Sequence, residues 1–206
     1  TQAALAQSTP AATPAILDTV TVRSTLLASP LESTPASVSV VDGAQMRRNQ
    51  WQVNLSESLG HVPGLLLQNR THYAQDLQLS IRGHGARSTF GQRGIQVYVD
   101  GIPATMPDGQ GQAATAQLAS AAQVDVLRSP MAQLYGNAAG GVIQVTTRDP
   151  KPGGGAGASV ALGSFGQRQL GASFDWGNRT LGGLVDVSHF STDGWRAHSA
   201  ARRTHL

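Results

Sequence analysis

Between Asp76 and Asp100 the chain carries no acidic residue, yet it carries Arg82, His84, Arg87 and Arg93. Guanidinium forks match carboxylates and other oxyanions, and with no acid close in sequence they stay available to an external anion. Arg87 and Arg93 are therefore candidate contacts for an anionic small ligand, provided their loops reach the outer tip of the domain. The same residues would also suit a plain exposed surface. Downstream, "PATMPDGQGQ" (Pro103 to Gln112) places Asp108, Gln110 and Gln112 on a pliable, Gly-rich segment as hydrogen-bonding groups. The competing reading is a connector packed on a neighbouring surface.

Other chemistries find little support. His61, His72, His84, His189, His198 and His205 show no i, i+4 pair and no close ligand spacing, so no metal centre is expected. His72 beside Tyr73 reads as a surface histidine rather than a contact to a metal-bearing ligand. There is no G-x-S-x-G elbow, and "GHGARSTFG" fails the dinucleotide pattern because no long helix follows it. The acids are dispersed along the chain, without a paired-carboxylate set. Neither a catalytic residue nor a resident cofactor is expected, and the chain does not read as an enzyme.

Charged residues are 13% of the 206, and 24 residues are Gly, a composition of strands and tight turns. Lys151 is the one lysine, and the arginines are scattered rather than clustered or interleaved with aromatics, which argues against nucleic acid. The absence of cysteine rules out disulfides and thiolate sites. No window of about 18 apolar residues exists, so no transmembrane helix is expected, while barrel strands would give a far weaker signal.

The elements that must position these residues fall into regions. "AALAQ" has the A-x-A form of a signal-peptide cleavage site, giving residues 1–6 as the end of a leader; an Ala-rich tail is the other reading. Residues 7–37 read as a flexible tail rich in Ser, Thr, Pro and Ala, with one strand-like island, "LDTVTV" (Leu17 to Val22). Residues 38–150 read as an α+β unit, a small mixed sheet with short helices. Its strands are expected at Ala36 to Val41, in "LLLQNR", in "LQLSIRG", in "GIQVYVDGIP" and at Gly140 to Arg148. Capping-box patterns at Asp42/Gln45 and Asn54/Glu57 start two short helices, and Ser129 with Pro130 starts a last one ending before Gly136. Residues 151–157 read as a linker, in a "DPKPGGGAG" segment that neither helix nor strand should tolerate.

From residue 158 the pattern alternates. Two arms meet in a turn at Ser164 to Gln167, and "RTLGGLVDVSHFSTDGW" makes a third strand. Phe165, Phe174, Trp176, Phe190 and Trp195 fall near strand ends, as an aromatic girdle would place them. Gly194 to Leu206 reads as the start of a loop. Three strands cannot close a barrel, so a membrane reading requires more strands than these; a soluble β-meander is the alternative.

These pieces resemble, in order, the TonB-dependent outer-membrane receptors. The resemblance rests on "DTVTV" (Asp18 to Val22), "LGHVPGLLLQ", "LSIRGHG", "VYVDGIP" and "QVDVLRSPMAQLYGNAAGGVIQVTTRDP", followed by the alternating strands. Ser129 stands where the family more often has Gly. The resemblance implies a plug domain followed by the first antiparallel strands of a 22-stranded transmembrane β-barrel, the rest of which lies beyond this chain. It implies residence in the cell outer membrane, in contact with its lipid, with the plug inside the barrel and the tail in the periplasm. It further implies active uptake of a scarce ligand such as a ferric siderophore, energised by the TonB–ExbB–ExbD complex. Asp18, Thr19, Val20, Thr21 and Val22 would then bind the TonB periplasmic domain by strand addition. From the residues alone, docking on the chain's own sheet is the equal alternative. The box's closeness to the expected mature terminus leaves no room for a signalling domain. Arg82 and Arg128 would form ion pairs with barrel glutamates. The segment after "VYVDGIP" resembles a receptor subgroup that includes pyrroloquinoline quinone uptake proteins. An anionic cofactor of that kind is the alternative ligand, and a soluble periplasmic plug-like binding module the alternative protein.

Overall fold

The structure is a computed structural model that describes residues 21–24, 27–30, 33, 36–48, 50–69, 73, 75–88, 91–113, 116–128, 134–178 and 180–206. The described elements begin with β1 (Thr21–Ser24) and β2 (Leu27–Pro30), then β3 (Val38–Asp42), α1 (Gly43–Arg47) and α2 (Leu55–Leu59). Six short strands follow: β4 (Leu65–Gln68), β5 (Gln78–Ile81), β6 (Gln92–Arg93), β7 (Ile95–Val99), β8 (Ile102–Pro103) and β9 (Gln110–Gly111). The longer strands are β10 (Ala121–Leu127), β11 (Gly141–Thr147), β12 (Gly155–Leu162), β13 (Arg168–Gly177), β14 (Gly182–Thr192) and β15 (Ala201–His205).

The expected α+β unit is a five-stranded mixed sheet in the order β3-β10-β11-β7-β8, with β11 and β7 the parallel pair. Alternation along its central strands sends Val124, Val126, Ile95, Val97, Ile143 and Val145 to one face, all 0% exposed. There they meet Met46 of α1 and Leu55 and Leu59 of α2 in one core. Each such side chain contributes about 1.5–3 kcal/mol by leaving water, which is how five-residue helices persist.

Both helices start where capping residues place them. The Asp42 side chain accepts from Ala44 N at 3.3 Å. Gln45 supplies no return half; its carbonyl instead accepts from Arg48 N at the far end. At α2 the Glu57 carboxylate reaches back to accept from Asn54 N at 3.1 Å. The Asp100–Gly101 turn joins β7 to β8 with both residues at positive φ, 50° and 81°. Asp100 also accepts from Thr147 N and Thr147 Oγ1 at 2.8 and 2.7 Å, tying that turn to the end of β11.

The structure departs from the sequence reading in five further places. Leu27–Pro30, inside the segment read as too rich in Ser and Pro to fold, pairs with β1 in an antiparallel hairpin. The first strand of the mixed sheet is Val38–Asp42, not Ala36 to Val41, because β10 pairs with residues 38–42. Gly155–Gly157, expected in the linker, belong to β12, where β13 supplies their backbone partners. A Cβ at Gly155 would lie 2.8 Å from Asp175 Oδ1, so a larger residue there would displace that carboxylate. Ala201–His205, expected in a loop, is a fourth strand paired with β14; it has little apolar alternation to betray it, and its neighbour's free edge makes it a strand. Finally Phe190, expected in an aromatic girdle, is 3% exposed and faces the mixed sheet's unit, with its ring centroid 5.8 Å from Trp51 and 5.0 Å from Tyr73. The expected helix start at Ser129 and Pro130, and His72, lie outside the described residues.

Strands β12 to β15 form a four-stranded antiparallel meander. Its side chains are sorted the reverse of a soluble sheet. Gln169, Asp175, Asp186 and Phe190 face the mixed-sheet unit, whereas Val160, Leu162, Leu170, Phe174, Trp176 and Val185 face away and are 45–75% exposed.

Candidate functional site: a cationic cleft and a polar seam

The loop after β5 returns on itself through Ile81 N to His84 O and His84 N to Ile81 O, at 3.0 and 2.9 Å. Gly85 sits at φ +86°, where a Cβ would meet Leu79 O at 2.7 Å, so only glycine lets the loop fold so tightly onto its own strand. This turn presents His84 and Arg87. Pairing of β6 with β9 then sets Arg93 directly opposite Gln110. His84, Arg87, Arg93 and Gln110 line one open cleft of about 640 Å³. Among the described residues no carboxylate pairs with either arginine. Two guanidinium forks, an imidazole and an amide suit a ligand with several oxyanion groups.

The structure thus brings together Arg87, Arg93 and Gln110 and separates the other two expected contacts from them. Asp108 is used in a turn: its Oδ1 accepts from Gln110 N at 3.0 Å, and its carbonyl accepts from Asn137 Nδ2 at 3.2 Å. Gln112 is exposed just past β9, outside the cleft lining.

Arg82 and Arg128 face one another beside Gly64. Arg82 Nη2 donates to Ser37 Oγ at 3.5 Å, and Arg128 Nη2 donates to Ser39 Oγ at 2.6 Å. Arg128 Nη1 also donates to Pro63 O. Burial, with the positive charge of Arg82 added, holds the Arg128 guanidinium below its ordinary pKa. Their described partners are hydroxyls and a carbonyl, a neutral setting for two adjacent cations.

Of the expected N-terminal binding segment, Asp18, Thr19 and Val20 lie outside the described residues. Thr21 and Val22 form the start of β1, which packs on β10 and β11. Val22 is 0% exposed, and Thr21 O accepts from Gln123 Nε2 at 2.9 Å.

A second polar region lies between the two sheets. Arg148 Nη2 donates to both Asp186 oxygens, at 2.9 and 3.1 Å, and Gln117 Nε2 donates to Asp186 O at 3.3 Å. Arg203 of β15 donates to Val53 O at 3.2 Å and Asn54 Oδ1 at 3.5 Å, at the N-terminus of α2. Nearby, burial pushes the Glu57 carboxyl above its ordinary value, opposed by the backbone N–H groups it accepts from. Sequence reasoning missed Arg148, Asp186 and Arg203. The signal present was an acid inside an apolar alternation, "LVDVS", which places one charge on the face opposite Val185.

A family model described as TonB-dependent Receptor Plug Domain matches residues 30–142. The iron-regulated outer membrane virulence protein of Vibrio cholerae is 30% identical over 140 residues, covering 64% of this chain and 20% of that protein. The ferrioxamine B receptor of Salmonella typhimurium is 29% identical over 170 residues, covering 77% and 22%. The chain therefore spans about a fifth of the length of these curated relatives. The solved pyoverdine outer membrane receptor of Pseudomonas aeruginosa PAO1, bound to pyoverdine, superposes with a TM-score of 0.62 at 17% identity, over 81% of this chain and 23% of that one.

Proposed function

The chain belongs to the TonB-dependent receptor plug domain family, and on that premise we propose that it forms the plug and first wall strands of an outer-membrane receptor for a ferric siderophore. The observation that carries this reading is the inverted meander. Val160, Leu162, Leu170, Phe174, Trp176 and Val185 point away from the plug sheet, while the acids Asp175 and Asp186 point toward it. That sorting suits a wall with lipid outside and a polar interior. It disfavours the soluble-module alternative, which would leave those apolar side chains in water without a partner.

The relatives' names for iron and ferrioxamine support a siderophore as cargo. The cleft of Arg87, Arg93 and Gln110 offers the charge an anionic chelate needs. A tricarboxylate cofactor such as pyrroloquinoline quinone would satisfy the same charges, but no matched relative named here favours it. The receptor works without covalent chemistry, by binding and gating. Arg82 and Arg128, left with neutral partners, would complete their charge against wall carboxylates. The segment from Asp18 to Val22 would deliver TonB's pull by adding a strand to TonB in the periplasm, for which Thr21 and Val22 would leave their berth on β10 and β11.

Thr21 offers a labelling position in a chain that brings no cysteine of its own. A fluorophore on Thr21→Cys in the intact receptor, titrated with the periplasmic domain of TonB, should report a saturable change that Val20→Pro abolishes, since proline removes a strand donor. An unchanged signal at millimolar partner would refute the coupling.

A further inference from the structure

The outward face of the wall changes character along the strands. Beyond Leu170, register places Arg168 opposite Ser191 and Ser191 opposite Arg202 on three neighbouring strands. Side chains two apart on a strand share a face, so this row continues the face of Leu170, with Leu162 paired at its near end. Between the apolar band and the row lies a polar step, His189 Nδ1 to Thr204 Oγ1 at 2.9 Å. The row lines a cavity of about 500 Å³.

Both arginines are exposed, and among the described residues neither has an ion-pair partner. Asp193 also lines the cavity, its carboxylate against Gly166, so that two cations face one anion there; its backbone N–H donates to Phe165 O at 3.0 Å. Neighbouring strands are about 4.8 Å apart, which sets the two arginines about 10 Å apart with a hydroxyl between them. From that spacing two planar forks can close on one tetrahedral phosphate seated over Ser191. In the adjoining connection Arg196 stacks on Trp195 at 5.2 Å, an arrangement suited to the boundary between acyl chains and headgroups.

We propose that Arg168, Ser191 and Arg202 bind the phosphate of an anionic membrane lipid whose acyl chains lie along Leu162 and Leu170. The proposal rests on the reading of this sheet as a membrane wall. The continuity of the row with an exposed apolar band selects a lipid over a free anion. A soluble phosphate would gain the arginines but would leave the adjacent leucines uncovered.

The test uses the intact receptor, delipidated in neutral detergent, with bound lipid read by native mass spectrometry. Dimyristoyl phosphatidic acid should be retained in preference to phosphatidylcholine. Retention should fall about thirty-fold in the double variant R168Q/R202Q and recover in part in R168K/R202K, which restores charge without the forks. Equal retention by wild type and R168Q/R202Q would overturn the site. Arginine-dependent binding of inorganic phosphate with no gain from acyl chains would overturn the lipid assignment. Insertion of the wild type into phosphatidylcholine vesicles without arginine-dependent retention refutes this site alone. Failure to insert would remove the membrane-wall premise and the site with it.

Discussion

The five-stranded plug sheet and the four-stranded wall use the same two-residue alternation and sort it in opposite directions. In the plug, Val97, Val124 and Ile143 turn toward α1 and α2 and are 0% exposed. In the wall, Val160, Leu162 and Leu170 turn away from the rest of the chain and are 54–75% exposed, while Asp186 takes the protein-facing side. An isolated sheet in water is held by the apolar face it buries, so the wall's sorting needs a second apolar phase outside it. The strand period states only that two faces differ. Which face is covered, and by what, depends on the neighbours each sheet acquires.

The deepest substitution should give the largest effect. Ile143→Ala opens a cavity under both helices and should cost about 2–5 kcal/mol in denaturant unfolding of the intact receptor; a loss under 1 kcal/mol would show that the plug core is not close-packed. Val185→Arg tests the other sheet. On a wet surface it would fall within about 0.5 kcal/mol. Facing the middle of a bilayer it should cost about 2–4 kcal/mol, measured in vesicles. A neutral outcome would remove the distinction between the two sheets. The contact joining them comes next. A double-mutant cycle on Arg148→Ala and Asp186→Ala should give about 1–2 kcal/mol of coupling, between the exposed and buried limits for ion pairs. No coupling would mean that the plug rests on the wall without that pair.

The smallest effect is a slope. Burial raises Glu57 above its ordinary 4.5. As pH climbs through the window above that value, the unfolded chain releases the Glu57 proton before the folded chain does, so this group's contribution to stability falls. Glu57→Gln keeps a carbonyl acceptor for Asn54 N and removes the titration. The variant should gain on wild type as pH rises above 4.5, and parallel pH profiles would show that Glu57 does not titrate in this environment.

Much of this architecture is legible in the chain itself. Local pattern determined the strands from Leu65 to Ile81, the Asp100–Gly101 turn, the start of α2 at Asn54, the hairpin at Ser164 to Gln167 and the acid-free interval carrying Arg87 and Arg93, because each depends on residues only a few positions apart. What lies across the fold was decided by tertiary structure. Pairing of β6 with β9 put Gln110 beside Arg93 and left Asp108 to a turn. The meeting of plug and wall joined Arg148 to Asp186 and buried Phe190. The berth on β10 and β11 covered Val22, and β14 made a strand of Ala201–His205. Sequence pattern specifies the period and the ends of an element, whereas register, the covered face and the partner of a charge arise only when distant segments share one packed space.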